Sequence, residues 1–144
     1  MKKTDLRNYA KLIAQKGVNV QKNQEVYITT QLDQPEFVKM LVEECYRSGA
    51  GKVIVDWNYQ PLTKLHVRWQ KEKVLSKVEE WEKARLQHKV DVLPALIYLE
   101  SEDPDGLKGV NMEKLVKSQQ IKRKITKPYR DQMDNKYQWW QCIH

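Results

Sequence analysis

Glycine and proline are scarce in this chain, five of each in 144 residues. Few glycines leave little material for a phosphate-cradling loop. No GxxxxGK[ST] pattern occurs, and the one glycine cluster, SGAGK at 48–52, precedes an apolar run instead of following one, the wrong edge for a dinucleotide fingerprint. Cysteine is rarer still. Cys45 and Cys142 stand far apart with neither pairing nor metal spacing, and read as two reduced core thiols rather than a disulfide framework. The three histidines, His66, His88 and His144, fall in no HExxH or Cys/His pattern, so zinc hydrolysis has no ligand set here. There is no GxSxG elbow, and Cys45 has no histidine near it in sequence. No apolar run approaches the roughly 20 residues that cross a bilayer. The opening MKKTDLRNYA is charged but lacks the apolar segment of a signal peptide.

What is present describes a globular protein: 40% apolar and 31% charged residues. A chain of this length forms one domain, residues 1–144, able to bury roughly 68–70% of the surface it exposes when unfolded. The net charge of +7 is local. KLVKSQQIKRKITKPYR, from Lys114 to Arg130, holds seven cations and no acid; removing those seven from the 26 leaves 19 basic against 19 acidic residues. Clustered cations can release counterions from phosphates, yet only Tyr129 interleaves as an aromatic and no nucleic-acid reader motif accompanies the run. A solvated face, or one docking on another domain, is the expected role.

The hydrophobic pattern alternates between helix and strand. Leu6, Tyr9, Ala10 and Ile13 share a helical face, with Gly17 placed to cap its end. EVYITT at 25–30 reads as a strand. In DQPEF, Asp33 is placed to cap a helix with Glu36 reaching back and Pro35 in the first turn. That helix carries Val38, Leu41, Val42 and Cys45 and ends at Gly49. KVIVDW at 52–57 is a second strand, nearly continuous in apolar residues, as expected when both faces are covered. A long helical region starts at Pro61, with Val74, Leu75, Val78 and Trp81 in helical spacing. ALIYLE at 95–100 is a third strand, SEDPDG is turn chemistry, and a helix with Met112, Leu115 and Val116 runs into the basic stretch until Pro128 interrupts it. QWWQCIH is a fourth strand, after which the sequence stops. Strands separated by helices cannot pair as hairpins. The expected fold is α/β: an open, mainly parallel four-stranded sheet with helices on both faces, Rossmann-like in three layers and truncated after the fourth strand.

In such a sheet, ligands bind beyond the carboxyl ends of the strands. Those ends carry Thr29, Thr30 and Gln31; Asp56, Trp57 and Asn58; and Glu100, Ser101, Glu102 and Asp103. Their carboxylates could hold a hard cation such as Mg²⁺, which takes oxygen ligands. The plainer reading makes Asp103 a helix cap and the others solvated loop acids. His66 and His88, set among helical charges, read as surface residues. The residues by themselves mark no active site.

Four blocks, in order, resemble one family: LRNYAKLIAQKGVNVQKNQEVYI, PEFVKMLVEECYRSGAGKVIVDW, ALIYLESEDPDGLKGVNMEKL and WWQCIH. Together they look like the N-terminal domain of the thermophilic-type metalloaminopeptidases, the aminopeptidase T and aminopeptidase S group that includes enzymes called leucine aminopeptidases. The resemblance covers almost the whole chain, with SEDPDGLKGVN its most distinctive part. One departure is small: Asn23 stands where the family usually has glycine, and asparagine also tolerates a positive φ. The larger one is extent, since the chain corresponds to about the first third of such an enzyme. The resemblance implies two divalent metal ions (Zn, Co or Mg) held by carboxylates, histidines and a tyrosine of a C-terminal domain. No position here matches those motifs, so the catalytic, cofactor-binding and metal residues expected in this chain are none.

The expectation is therefore the non-catalytic N-terminal domain of a cytoplasmic aminopeptidase that removes N-terminal residues from peptides. This chain alone is expected to be inactive, with the C-terminal catalytic domain of the same protein as its partner, a homodimeric assembly, and no membrane or nucleic-acid ligand. The alternative, from a different class, is a free-standing basic α/β module that binds nucleic acid or an acidic partner. The final strand leads to one further expectation. Trp139 and Trp140 point to opposite faces, so one is to be well buried and the other substantially exposed or in an intermolecular contact, with the isolated domain self-associating through this edge or the apolar surface beside it.

Overall fold

The computed structural model describes residues 2–100, 103, 105–136 and 139–143, the last four of these by backbone alone. Ser101, Glu102 and His144 therefore lie outside the described residues, as do the side chains of Trp140 and Cys142. Two compact units emerge, one formed by residues 1–58, 93–102 and 136–144, the other by 59–92 and 103–135.

The first unit is an open parallel sheet with helices against it. Its strands are β1 (Glu25–Gln31), β2 (Lys52–Asn58), β3 (Ala95–Glu100) and β4 (Trp139–Ile143), in the order β2-β1-β3-β4 and all parallel. The expected α/β class is what the structure has. On one face Val26, Ile28, Ala95, Ile97 and Leu99 meet α1 (Lys3–Leu12) and α2 (Pro35–Arg47) in a single core. The periodicity of α2 is realised in full: Val38, Leu41 and Cys45 are buried, and Phe37 and Met40 join them. Tyr27 and Leu96, register partners on the opposite face, are buried as well. That explains why the central strands lack a polar alternation. Arg7 of α1 bridges Glu43 and Glu44 of α2 at 3.2 Å each, and Arg47 reaches the same two carboxylates, so the nearly buried Glu44 is held between two guanidinium groups.

Several boundaries differ from expectation for identifiable reasons. Pro35 is the first residue of α2, and the residue before a proline is kept out of helical geometry. The cap position therefore falls on Gln34 (φ −136°, ψ 56°) and not on Asp33. Gly17 does not cap α1. The helix widens into a π-turn over Ile13–Gly17, closed by the Val18 N–H on the Ile13 carbonyl at 3.0 Å, and the left-handed residue is Asn19 (φ 47°). Gly49 does end α2 as expected, with φ 112°, and Asn23 takes the positive φ (64°) foreseen for it.

The second unit is helical: α3 (Gln60–Trp69), α4 (Glu72–Leu75), α5 (Glu80–Val92) and α6 (Met112–Met133). The region after Pro61 is thus three helices and not one. Gln70 and Lys71 are extended (ψ 140° and 150°), and the Ser76 hydroxyl donates to the Glu72 carbonyl at 2.7 Å where α4 stops. Glu82 then accepts the Glu79 N–H at 3.0 Å and starts α5. Of the spaced set, Val78 is buried in the connection whereas Trp81 is 65% exposed. Nor does Pro128 interrupt α6, which runs through it for 22 residues. Pro128 and Lys124 are both exposed, so the donor that proline removes is lost on a solvated stretch of the helix.

Candidate functional site

At the carboxyl end of the sheet, parallel pairing aligns Gln31 with Asn58 and Thr29 with both Asp56 and Tyr98. Thr30 is 3% exposed and its hydroxyl donates to the Gln31 carbonyl at 3.3 Å, so it is an internal group rather than a ligand aimed at solvent. Asp56 and Glu100 sit on β2 and β3 with the whole of β1 between them. Among the described residues, no group of three His, Cys, Asp or Glu side chains could hold a metal ion. Ser101 and Glu102 of that candidate set are not among them.

Asp103 does cap, but it caps a turn. Its carboxylate accepts the Asp105 N–H at 2.9 Å, and its carbonyl accepts the Gly106 N–H at 2.9 Å. The Gln60 carboxamide clasps the same residue from the first turn of α3, donating to the Asp103 carbonyl and accepting from its N–H at 3.3 and 3.2 Å. A Cβ on Gly106 would lie 2.3 Å from that carboxamide oxygen, so a larger residue there would push the Gln60 side chain off the turn. The cap of α6 is Asn111, whose side chain accepts the Lys114 N–H at 3.1 Å.

The glycine cluster at 48–52 is likewise a turn. The N–H groups of Ser48, Gly49 and Ala50 donate to the carbonyls of Glu44, Tyr46 and Cys45 at 3.0 Å each, and the Gly51 N–H to the Gln24 carbonyl at 2.9 Å, so the donors a phosphate loop would offer are already engaged. His66 and His88 are exposed on α3 and α5. Cys45 is buried, free, and pushed up to about 12 by burial and then by the Glu44 charge, so it stays a thiol rather than a nucleophile.

The basic run lies entirely on α6, and the structure divides its seven cations. The Lys114 ammonium donates to the carbonyls of Val67, at 2.6 Å, and Gln70, satisfying the C-terminal end of α3. Lys117 pairs with Glu72 at 3.1 Å and Lys127 with Asp131 at 2.8 Å. The side chains of Lys122, Arg123, Lys124 and Arg130 make no hydrogen bond or ion pair among the described residues. Arg123, Lys124 and Arg130 are exposed, and Tyr129, the one aromatic of the run, is only half-buried. The arrangement suits a screened, sequence-blind interaction with negative charge. Outside the run, Trp81 of α5, 65% exposed, lines a cleft together with Lys122 and Thr126. Nothing in the sequence singles out Lys64, Arg68 and Lys108, which the fold gathers onto one cleft of the second unit.

Comparison with known proteins supplies what the site does not. Residues 2–144 match the family model for thermophilic metalloprotease (M29). The chain is similar to aminopeptidase AmpS of Bacillus subtilis, 29% identical over 96% of this chain and 34% of the relative. It is similar to aminopeptidase PepS of Streptococcus thermophilus, 31% identical over 78% of this chain and 27% of the relative. Among solved structures, wild-type AmpT from Thermus thermophilus superposes with a TM-score of 0.86 at 26% identity, covering 98% of this chain and 36% of that one. The chain thus spans about a third of the length of the curated relatives it matches.

Proposed function

This chain belongs to the thermophilic metalloprotease (M29) family, and from that premise we propose that it is the N-terminal, non-catalytic domain of a metal-dependent aminopeptidase that removes N-terminal amino acids from peptides. The observation that carries the proposal is one of extent. The family match runs from residue 2 to residue 144, through both compact units, yet the chain corresponds to about a third of AmpS and of aminopeptidase T. Its continuity is also the support for treating residues 1–144 as one α/β domain. In a metallopeptidase the metal activates a water and polarises the scissile carbonyl. The described residues here do not fit that role, because they bring together no ligand set. The proposal therefore assigns that chemistry, with its Zn, Co or Mg ions, to a C-terminal domain, and assigns this chain a supporting part in a cytoplasmic homodimer.

The test has two parts. The reading frame after codon 144 is sequenced and the longer product, if one is encoded, is expressed beside the 144-residue chain. Both are assayed on leucine-p-nitroanilide with added Co²⁺ or Zn²⁺. The proposal expects turnover from the longer product only. Metal-dependent turnover by the 144-residue chain that survives repurification would overturn it.

A further inference from the structure

Within the second unit, a cleft of about 820 Å³ opens between α3 and the segment that leads into α6. That volume falls in the range of about 300–1,000 Å³ typical of small-molecule sites. Its walls carry four cations, Lys64, Arg68, Lys108 and Lys114, and no acid among the described residues. Other lysines of this unit are neutralised at short range, Lys117 by Glu72, Lys127 by Asp131 and Lys83 by Glu80. Those of the cleft are not. The side chains of Lys64 and Lys108 make no hydrogen bond or ion pair among the described residues. Arg68 lies over the Trp69 ring, 5.5 Å from its centroid, an arrangement that leaves its charge uncompensated. Lys114 is pinned by the Val67 and Gln70 carbonyls, so its charge is held in the wall at a set position. Between these cations the lining is apolar, through Leu65 and Val110. Leu65 is 49% exposed, an apolar surface that nothing in its own unit covers.

A concave surface of one sign focuses its field inward and raises the local concentration of the opposite charge. We infer that this cleft binds a small organic anion, with its carboxylate or phosphate held by Lys64, Lys108 and Arg68 and its apolar body lying on Leu65 and Val110. Lysine point charges suit a compact anionic head without demanding a planar one. The site is independent of the peptidase chemistry proposed above, and uses none of the residues at the carboxyl end of the sheet.

Titration of the 144-residue chain with phenyl phosphate and with phenylacetate, followed by amide ¹H–¹⁵N spectra, tests the inference. Benzyl alcohol serves as the neutral counterpart. The expected result is shifts concentrated at residues 61–68 and 108–114, saturable for the anions, weakened by added salt and absent for benzyl alcohol. The double substitution Lys64→Gln/Lys108→Gln should weaken anion binding by about tenfold or more. Lys122→Gln/Arg123→Gln should leave it unchanged. Equal response to benzyl alcohol, shifts spread over the outer face of α6, no response to either anion, or undiminished binding by the Lys64/Lys108 variant would each overturn the assignment. Should that variant lose the native spectrum, the comparison of anion with alcohol on the unaltered chain decides alone.

Discussion

Gly51 and Asn23 meet backbone to backbone: a Cβ on Gly51 would lie 2.8 Å from the Asn23 carbonyl oxygen and 3.1 Å from its Cα. The turn before β1 and the turn before β2 are thereby clamped together, and register between the two strands begins there, with Glu25 opposite Lys52. No flexible side chain stands in the way that could swing aside. Gly51→Ala is therefore expected to destabilise the chain by about 1–3 kcal/mol through backbone displacement. The urea midpoint should fall with little change in slope. An unchanged midpoint would show that the two turns can separate without loss.

Cys45 offers a chemical readout of the α1–α2 core. Burial beside Glu44 pushes its thiol up to about 12. In the native chain, iodoacetamide at neutral pH should leave the Cys45 peptide unmodified in a mass map, and denaturant should expose it. The sign of the pH dependence follows from the raised value. Below the ordinary thiol range both folded and unfolded states are protonated and nothing is lost. As the pH climbs from about 9 toward 12, the unfolded thiol ionises and the folded one does not, so stability declines. Cys45→Ala, though less stable overall, should show a shallower alkaline decline in urea midpoint. Parallel declines in the two proteins would remove Cys45 as the cause.

Trp139 is 56% exposed, and the strand that carries it lies at the edge of the sheet. It supplies the exposed member of the tryptophan pair; the Trp140 side chain lies outside the described residues. An edge strand offers unpaired backbone groups beside exposed apolar area, the combination that promotes strand addition. The 144-residue chain should show a mass that rises with concentration in sedimentation equilibrium, and Trp139→Lys should reduce that rise. A strictly monomeric mass at the highest attainable concentration would contradict this expectation.

Binding of the chain to a DNA duplex should be weak, independent of sequence and steeply dependent on salt. Replacing Lys122, Arg123 and Lys124 by glutamine removes three side chains that have no hydrogen-bond or ion-pair partner among the described residues, and should lower the slope of log K against log salt by up to about three units. Tight, sequence-selective binding at physiological salt would instead favour the nucleic-acid module over the aminopeptidase domain.

Much of the fold could be read from local chemistry. The β-branched runs at 25–30 and 52–57 form strands because that pattern fits a pleated surface, but only β1 is well buried; β2 lies at the edge of the sheet, half-buried, without the two-sided cover its apolar run implies. Gly49 and Asn23 take left-handed backbone because few residues do so cheaply, and Phe37 to Cys45 bury one face because a 3.6-residue period leaves no other choice. The family resemblance was legible for a related reason, since the turn chemistry of SEDPDGLKGVN is dense in residues with narrow conformational roles. Tertiary structure decided the rest. Helical spacing at Val74, Val78 and Trp81 could not reveal that extended backbone at Gln70 and Lys71 divides the region, or that Trp81 faces water. Pro128 reads as a terminator, yet on a solvated stretch it costs the helix one donor without ending it. The division of the basic run into structural and free cations depends on partners such as Val67 and Glu72, more than 40 residues away along the chain. So does the cleft: Lys64 and Lys108 become neighbours of one cavity only because Gln60 clasps Asp103 and Lys114 ties α6 to the end of α3, contacts between distant segments that no local period encodes.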